Sequence, residues 1–238
     1  MTFIIENLDK KYDHLEVFKD FNIEITERKI TCILGPSGCG KTTFLNIISG
    51  VIKSDTGFFS GFDSKLISYL FQEPRLLDWK TVWENIEFVL KDHYSKKEIN
   101  KIICKYIDMV GLKGFEEYYP SKLSGGMMQR VSIARAFAYP SDILIMDEPF
   151  KGLDLKIKRL LMNAFVKLWT EDSRSVIFVT HDIEEALLLG DEIYVFSEAP
   201  VRIKKHFKMN RSKQERKLED EQIEYMKKEI YKVLQFVI

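Results

Sequence analysis

The feature that most limits the fold of this chain is a glycine-rich segment near its N-terminus. Residues 35–42 match the pattern G-x-x-x-x-G-K-[ST] throughout, directly after the apolar run Ile30–Leu34 and before a helical pattern at Thr43–Ser49. Glycines allow the backbone to curl until successive N–H groups point at one anion, and the helix adds its positive N-terminal end. The segment therefore predicts a phosphate-binding loop between a strand and a helix, with a nucleoside triphosphate as its ligand.

Each residue type in this loop has an expected role. Lys41 is expected to reach the β- and γ-phosphates, and the Thr42 hydroxyl to bind Mg²⁺. An ordinary glycine-rich turn is the alternative, which the flanking strand and helix disfavour. A bulky adduct on Cys39 would intrude on the phosphates, so alkylation is expected to block ATP binding. The residues expected around the phosphates are Gly35, Pro36, Ser37, Gly38, Cys39, Gly40, Lys41, Thr42 and Thr43.

Strand and helix patterns alternate along much of the chain. Besides Ile30–Leu34, short apolar runs at Ile143–Met146, Val176–Val179 and Ile193–Phe196 predict buried strands. Such alternation predicts a parallel sheet covered by helices on both faces. One helix is predicted from the apolar positions Ile157, Leu160, Leu161, Ala164, Phe165 and Leu168, which share a helical face.

Two stretches depart from this alternation. From about Pro74 to Ala138 the chain is predicted to be mainly helical, and Ser95 with Glu98 has the spacing of a capping box. After about Pro200 the chain is strongly charged. It closes with apolar residues at helical spacing, which predict an amphipathic helix that docks on the core or, alternatively, recruits a partner. These residues are Ile223, Met226, Ile230, Val233, Leu234 and Val237.

Composition narrows the possible partners. Lys+Arg and Asp+Glu both number 36, whereas nucleic-acid binders usually carry a basic excess. There is no apolar run of about 18 residues, the length that a membrane-spanning helix needs. We therefore expect a soluble protein whose role at a membrane, if it has one, requires a partner. The three cysteines lack C-x-x-C spacing, which fits a reducing cytosol better than a disulfide framework or a zinc site.

A second candidate site follows the strand at Ile143–Met146. Asp147 and Glu148 come directly after it, at the carboxyl end of a strand, where parallel sheets bind ligands. Asp147 is expected to hold Mg²⁺ through water, and Glu148 to polarise the attacking water as a general base. His181 follows the strand at Val176–Val179 and could orient that water, although an isolated histidine is more often structural.

A third segment resembles a known family. Residues 123–130 read Leu-Ser-Gly-Gly-Met-Met-Gln-Arg and resemble the LSGGQ signature of ATP-binding cassette (ABC) proteins, with Met127 where glutamine is commonest. The resemblance implies a second phosphate-binding surface, which caps the ATP held by another subunit. Two copies would then form a head-to-tail homodimer around two ATP molecules. The signature residues are Leu123, Ser124, Gly125, Gly126 and Met127.

The resemblance extends over roughly residues 2–200. It implies that Tyr12 stacks on adenine, that Gln72 contacts Mg²⁺ and that His181 is the switch histidine. It further implies an α/β fold: a P-loop NTPase core with a mainly parallel sheet, an N-terminal antiparallel β part and an α-helical subdomain inserted at about 74–138. Residues 1–200 would form this ATPase domain and residues 201–238 a tail. The implied D-loop residues are Gly152, Leu153 and Asp154, after an unusual Lys151.

One stretch is similar to a particular branch of the family. Phe71–Trp79, followed by Lys80–Ile86, resembles ATPases of nitrate, sulfonate and taurine importers, with Asp78 in place of the usual proline. The resemblance implies an ATPase held on the cytoplasmic face of the membrane by a separate permease, with an extracytoplasmic solute-binding protein. The solute would be of nitrate, sulfonate, taurine or thiamine-precursor type.

Three alternatives remain open from the sequence. An ABC exporter or lipoprotein-release ATPase also pairs a soluble cassette with separate membrane proteins. A non-transport cassette acting on DNA or ribosomes fits poorly, because the charge is balanced and no sustained heptads occur. A P-loop kinase or small-molecule transferase would explain Gly35–Thr42 and Asp147 but would leave Leu123–Arg130 without a role, so it is disfavoured.

Overall fold

The computed structural model describes residues 1–235 of the 238-residue chain. The chain forms two compact units. The first unit comprises residues 1–65 and the chain from residue 172 onward, and the second unit comprises Leu66–Glu171. No helix within residues 1–235 is both long enough and apolar enough to cross a membrane.

The first unit begins with an antiparallel sheet. It contains β1 (Thr2–Tyr12), β2 (Leu15–Thr26) and β4 (Thr56–Ser60) in the order β2-β1-β4. Along β2, Phe21, Ile23 and Ile25 are buried while the residues between them are exposed, because successive side chains of a strand point to opposite faces. This sheet is the antiparallel part that the family resemblance implies.

The second sheet region of the first unit is mainly parallel. It contains β3 (Ile30–Leu34), β7 (Ser175–Val179), β8 (Glu192–Phe196) and β9 (Ile203–Lys208) in the order β7-β3-β8-β9, with only β9 antiparallel. Every residue of β3, β7 and β8 is buried, as expected for parallel strands covered on both faces. The three predicted strands are confirmed to within one residue at each end, whereas β9 is missing from the prediction.

Two helices flank these strands, α1 (Lys41–Ile48) and α6 (Ile183–Leu189). An aromatic cluster links α1 to both sheet regions: the Phe44 ring lies 6.0 Å from that of Phe21 in β2 and 5.8 Å from that of Phe196 in β8, centroid to centroid. Both contacts are edge-to-face, a favoured geometry for aromatic rings. The cluster fixes α1, and with it the end of the phosphate loop, on the core.

The second unit combines two parallel strands with helices. β5 (Ile67–Leu70) pairs with β6 (Ile143–Asp147), and the helices are α2 (Val82–Glu87), α3 (Lys96–Met109), α4 (Gly125–Ala138) and α5 (Leu155–Asp172). The predicted capping box is confirmed at α3, where the Glu98 carboxylate accepts a hydrogen bond of 2.9 Å from the Ser95 N–H. A second box at Thr81 and Glu84 opens α2.

The predicted apolar face of α5 is partly wrong. Leu161 and Phe165 are buried, but Leu160 is 46% exposed and Met162, absent from the predicted face, is buried. Because a helix turns about 100° per residue, a face drawn from i, i+3 and i+4 positions can be displaced by one residue. The buried stripe of α5 therefore runs one position later than predicted at this turn.

The chain after β9 is fastened to the first unit by a buried arginine. Arg216 donates hydrogen bonds of 3.1 Å to the Leu187 carbonyl, 2.6 Å to the Gly190 carbonyl and 2.8 Å to the Arg211 carbonyl. Leu187 and Gly190 lie at the end of α6, where carbonyl groups have no partner within the helix and attract cations. Asp191 forms an ion pair with Lys213 beside it.

The terminal helix, α7 (Glu221–Gln235), follows this anchor. Ile223 and Ile230 are buried, and Lys227 forms a 2.6 Å ion pair with Glu184 of α6. The helix thus packs along α6 with its apolar side inward. Val237, which the sequence analysis includes in this apolar side, lies outside the described residues.

Replacing Arg216 with methionine tests this anchor. We expect the free energy of unfolding to fall by about 3 kcal/mol, because the substitution leaves several buried carbonyl groups without a donor. Urea denaturation measures the change. Arg202 is exposed, so Arg202→Met should cost less than about 0.5 kcal/mol. Equal stability of the two variants would contradict the anchor.

Candidate functional site

The phosphate loop connects β3 to α1 in the first unit. Gly38 and Gly40 have φ of +76° and +114°, a backbone region that side chains with a Cβ rarely adopt. At Gly40 a Cβ would also lie 2.5 Å from Val17 Cγ1, so packing as well as conformation requires glycine there. The curled loop that the sequence predicts is therefore present.

The side chain of Lys41 is folded into this loop. Its ammonium donates hydrogen bonds of 2.8 Å to the Gly35 carbonyl and 2.7 Å to the Pro36 carbonyl, and the residue is only 7% exposed. A buried ammonium is costly unless it is hydrogen-bonded. Ser37 and Thr42 are exposed at the loop surface.

Cys39 is buried within the same loop. The residue is 3% exposed, and this burial raises the pKa of its thiol, with the Lys41 charge opposing the shift. Alkylation of Cys39 is predicted from the sequence to block ATP binding, and this stays a prediction. Cys104 is exposed whereas Cys39 is buried, so Cys39 should react with an alkylating reagent more slowly than Cys104.

His181 lies on a turn that is held by a polar network. The Thr180 hydroxyl donates a 2.6 Å hydrogen bond to the Glu185 carboxylate, and the Asp182 carboxylate caps α6 by accepting from the N–H of Glu184 at 2.8 Å. His181 itself is exposed between them. Sequence patterns do not single out Glu185. Its side chain is buried, with only 3% of its surface exposed.

The turn and the phosphate loop occupy the same edge of the sheet. β3 and β7 are parallel neighbours with Ile33 opposite Val179, and the Thr180 N–H donates to the Ile33 carbonyl at 3.3 Å. Both segments therefore leave the carboxyl ends of adjacent strands, where parallel sheets bind ligands. Tyr12 ends β1 at the β1–β2 turn, with its ring 5.2 Å from the Lys10 ammonium.

In the second unit, β5 and β6 are also parallel, and candidate site residues follow the carboxyl ends of both strands. Leu70 of β5 lies opposite Met146 of β6, so Gln72 and Glu148 each come two residues after a paired position. Gln72 is exposed, whereas Asp147 is 3% exposed at the end of β6. Burial, together with the Asp147 charge, raises the pKa of the Tyr69 hydroxyl in β5.

Glu148 is held in an unusual conformation. Its φ is +46°, in the left-handed region that few residues other than glycine adopt, and its carboxylate forms a 2.7 Å ion pair with the Lys151 ammonium. Strained backbone of this kind clusters at functional sites. Lys151 is therefore more than a departure from the usual D-loop sequence, because it contacts the candidate general base.

The rest of the D-loop leads into α5. Gly152 has φ of +75°, and the Asp154 carboxylate accepts a 3.0 Å hydrogen bond from the Ile157 N–H. Leu153 is partly buried between them. Asp154 thus caps the first turn of α5, a local role that accounts for an acidic residue at this position.

The signature segment forms the N-terminus of α4. The exposed Ser124 is the N-cap, and its hydroxyl accepts a 3.3 Å hydrogen bond from the Met127 N–H. Among the described residues, a Cβ on Gly125 would meet nothing within 4 Å, and one on Gly126 only the Leu153 side chain at 3.7 Å. Packing within the described part of the chain therefore gives no reason for two glycines at the start of α4.

Sequence reasoning misses the residues that hold these loops. Gln129 donates a 3.0 Å hydrogen bond to the Pro149 carbonyl, next to Glu148. Arg135 donates to the carbonyls of Pro74 at 3.1 Å and Arg75 at 2.9 Å, in the loop after Gln72. The only signal available in the sequence is the presence of an amide and an arginine within the predicted helix after the signature.

Comparison with known proteins supplies the family. Residues 18–151 match the family model described as ABC transporter. The chain belongs to the ABC transporter family. An ABC transporter ATP-binding protein of Methanocaldococcus jannaschii is 38% identical over 94% of this chain and 88% of its own length. The taurine import ATP-binding protein of Roseobacter denitrificans is 35% identical over 86% of this chain and 81% of its own length.

Solved structures of ABC cassettes share the fold. The chain is similar to a dimeric bacterial ABC transporter cassette with a TM-score of 0.79 and 31% identity, over 88% of this chain and 99% of the other. A second dimeric structure, of a post-hydrolysis state bound to ADP and Pi, has a TM-score of 0.76 and 30% identity over the same shares.

These comparisons confirm the predicted family and the predicted α/β fold of an ABC ATPase. The chain is an ATP-binding cassette that hydrolyses ATP, as members of this ABC family do. The individual roles assigned to site residues stay predictions.

Alkylation of Cys39 gives a test with a defined pH dependence. In Cys104→Ser protein, we expect N-ethylmaleimide to abolish ATP binding slowly near pH 7 and faster as the pH rises beyond 9.0, the ordinary pKa of a cysteine thiol. The thiolate is the reactive form, and a raised pKa shifts its appearance to higher pH. Peptide mass spectrometry and nucleotide-binding fluorescence follow the reaction.

Unsubstituted protein provides the control for this experiment. Its exposed Cys104 should be labelled first, and that labelling should leave ATP binding unchanged. Labelling of Cys39 as fast as Cys104, or full ATP binding by protein alkylated at Cys39, would contradict the prediction.

Proposed function

We propose that this ABC ATPase drives a separate permease that imports a small anionic or zwitterionic organic solute of the sulfonate or taurine type. The observation that carries the proposal is the likeness to import proteins. The taurine import protein of Roseobacter denitrificans and an aliphatic sulfonates import ATP-binding protein of Bacillus cereus are 35% and 36% identical over 86% and 88% of this chain. The run Phe71–Trp79 supports the same branch.

The phosphate loop is proposed to bind the phosphates of ATP. Its backbone N–H groups and Lys41 supply positive charge, and Lys41 would exchange the Gly35 and Pro36 carbonyls for phosphate oxygens. Mg²⁺ would neutralise charge on those phosphates. The side chains of Thr42, Gln72 and Asp147 offer hydroxyl, amide and carboxylate oxygens, the donor types that Mg²⁺ prefers.

Hydrolysis is proposed to use Glu148. Its carboxylate accepts a proton from the attacking water, which adds to the γ-phosphorus as the bond to the β-phosphate oxygen breaks, so ADP and phosphate are released. His181, exposed on its capped turn, would orient this water. Tyr12 would stack on adenine through its exposed ring, which is 45% accessible.

The signature segment is proposed to act on a second copy of the chain. Ser124, Gly125 and Gly126 would cap the ATP held by that copy, and two ATP molecules would be enclosed in a head-to-tail homodimer. The dimeric structures of similar cassettes support this arrangement. The open space at Gly125 supports it as well, since a nucleotide could approach the backbone there.

The loop after Gln72 is proposed to contact the permease. Trp79 is 73% exposed there, and large exposed aromatic side chains are enriched at protein interfaces. A permease would hold the ATPase at the cytoplasmic face of the membrane, and an extracytoplasmic solute-binding protein would deliver the solute. Nucleic acid has no place in this scheme.

Substituting Glu148 by glutamine tests the hydrolytic role. We expect kcat for ATP to fall by at least about 100-fold, because glutamine cannot accept the proton. ATP binding should persist, and static light scattering should show a dimer with saturating Mg-ATP. The exposed Glu198→Gln is the matched control and should keep full activity. A monomeric Glu148→Gln protein under these conditions would contradict the dimer model.

Copurification from the native cell tests the transport role. The chain carries an affinity tag, and membranes are solubilised gently before its partners are identified. We expect a permease with several membrane spans together with a solute-binding protein. Recovery with a permease alone would favour an exporter, and recovery with ribosomes or DNA would overturn the transport assignment while leaving the ATPase activity intact.

A further inference from the structure

One side of α4 carries a row of polar side chains that point at loops rather than at solvent. Gln129, Ser132 and Arg135 are spaced three residues apart, so they lie on successive turns of one helical side. Gln129 is 5% and Ser132 is 3% exposed. Because buried polar groups are costly without partners, the contacts of this row must offset that cost.

The first contact supports the loop that carries Glu148. Gln129 Nε2 donates a buried 3.0 Å hydrogen bond to the Pro149 carbonyl. The proline fixes its own φ and has no N–H, so its carbonyl is the one backbone group of Pro149 that can form a hydrogen bond, and Gln129 donates to it. The φ of Glu148 is +46°, and a backbone conformation of this kind persists only where surrounding contacts enforce it.

The second contact supports the loop after Gln72. The Pro74 carbonyl accepts from the Ser132 hydroxyl at 3.0 Å and from Arg135 at 3.1 Å, and the Arg75 carbonyl accepts from Arg135 at 2.9 Å. Burial lowers the pKa of the Arg135 guanidinium. The partly buried Arg135 guanidinium donates to two carbonyl groups of the loop after Gln72, and these hydrogen bonds fix the position of that loop.

We propose that α4 is a bracket that positions two functional loops, and that Gln129 is a positioning residue for hydrolysis. Gln129 holds the Glu148 loop, and Ser132 with Arg135 hold the Gln72 loop. The inference rests on the proposed role of Glu148. Because the same helix begins at Ser124, a displacement of the signature segment is carried to both loops through one rigid element.

Steady-state kinetics tests the contact between Gln129 and the loop that carries Glu148. Gln129→Glu replaces the donor amide with a carboxylate that repels the Pro149 carbonyl, and Gln129→Met removes the donor at similar length. We expect each variant to lower kcat about tenfold with KM for ATP changed less than about twofold, because only the position of Glu148 is altered. The exposed Gln222→Glu is the matched control and should behave as the unsubstituted protein.

Hydrogen exchange separates positioning from a general loss of stability. Gln129→Met should speed amide exchange in residues 147–153 and leave residues 71–78 unchanged, whereas Arg135→Met should do the reverse. Leu77 and Lys151 are suitable reporters, since their N–H groups are hydrogen-bonded to Asn85 Oδ1 and the Glu148 carbonyl. Faster exchange across the whole unit in both variants would overturn the proposal.

The kinetic outcomes also distinguish the two proposals. Unchanged kcat in both Gln129 variants, with Glu148→Gln inactive, would overturn the bracket and leave the role of Glu148 intact. Full activity of Glu148→Gln would instead overturn the proposed hydrolytic mechanism. A Gln129 variant in which kcat falls tenfold while KM and the thermal midpoint stay constant supports the bracket.

Discussion

The structure depends on how backbone carbonyl groups find hydrogen-bond donors just beyond the ends of its buried parallel strands. Within a sheet neighbouring strands pair their carbonyl and N–H groups, but the loops that leave the strands lose this pairing while they remain partly buried. In the first unit Lys41 donates to the carbonyls of Gly35 and Pro36. In the second unit Gln129 donates to the Pro149 carbonyl. In the phosphate loop and in the loops after Gln72 and Glu148, side-chain donors thus take the place of a neighbouring strand.

A donor within the loop, such as Lys41, and donors on a helix, such as Gln129 and Arg135, allow different movements of the loops that they hold. Lys41 belongs to the loop that it holds, and its ammonium can transfer to another anionic or polar acceptor without a change in the rest of the chain. Gln129 and Arg135 belong to a helix, so their loops can move only if α4 moves or the hydrogen bonds break. The first arrangement suits a loop that receives a ligand, and the second suits loops that must keep their position relative to a helix.

Sequence reasoning succeeds where the information is local. The phosphate loop, the strand before it, the helix after it and the capping box at Ser95 are each encoded within a few residues, and all are present. It fails where the partner is distant. Gln129 and Pro149 are 20 residues apart, and Arg135 and Pro74 are 61 apart, so only the folded chain shows that they meet. The exposure of Leu160 is a smaller failure, caused by drawing the face of α5 one position early.

The run that resembles importer ATPases contains residues of two kinds. Thr81 and Glu84 form the capping box of α2, and the fully buried Asn85 donates to the carbonyls of Leu77, Lys80 and Thr81. These residues shape the loop through hydrogen bonds within it. Trp79 is different, since at 73% exposure it contributes little to that shape. Within this run the proposal of an importer therefore draws on the exposed Trp79 and on the similarity to import proteins, whereas the capped start of α2 is a local structural feature.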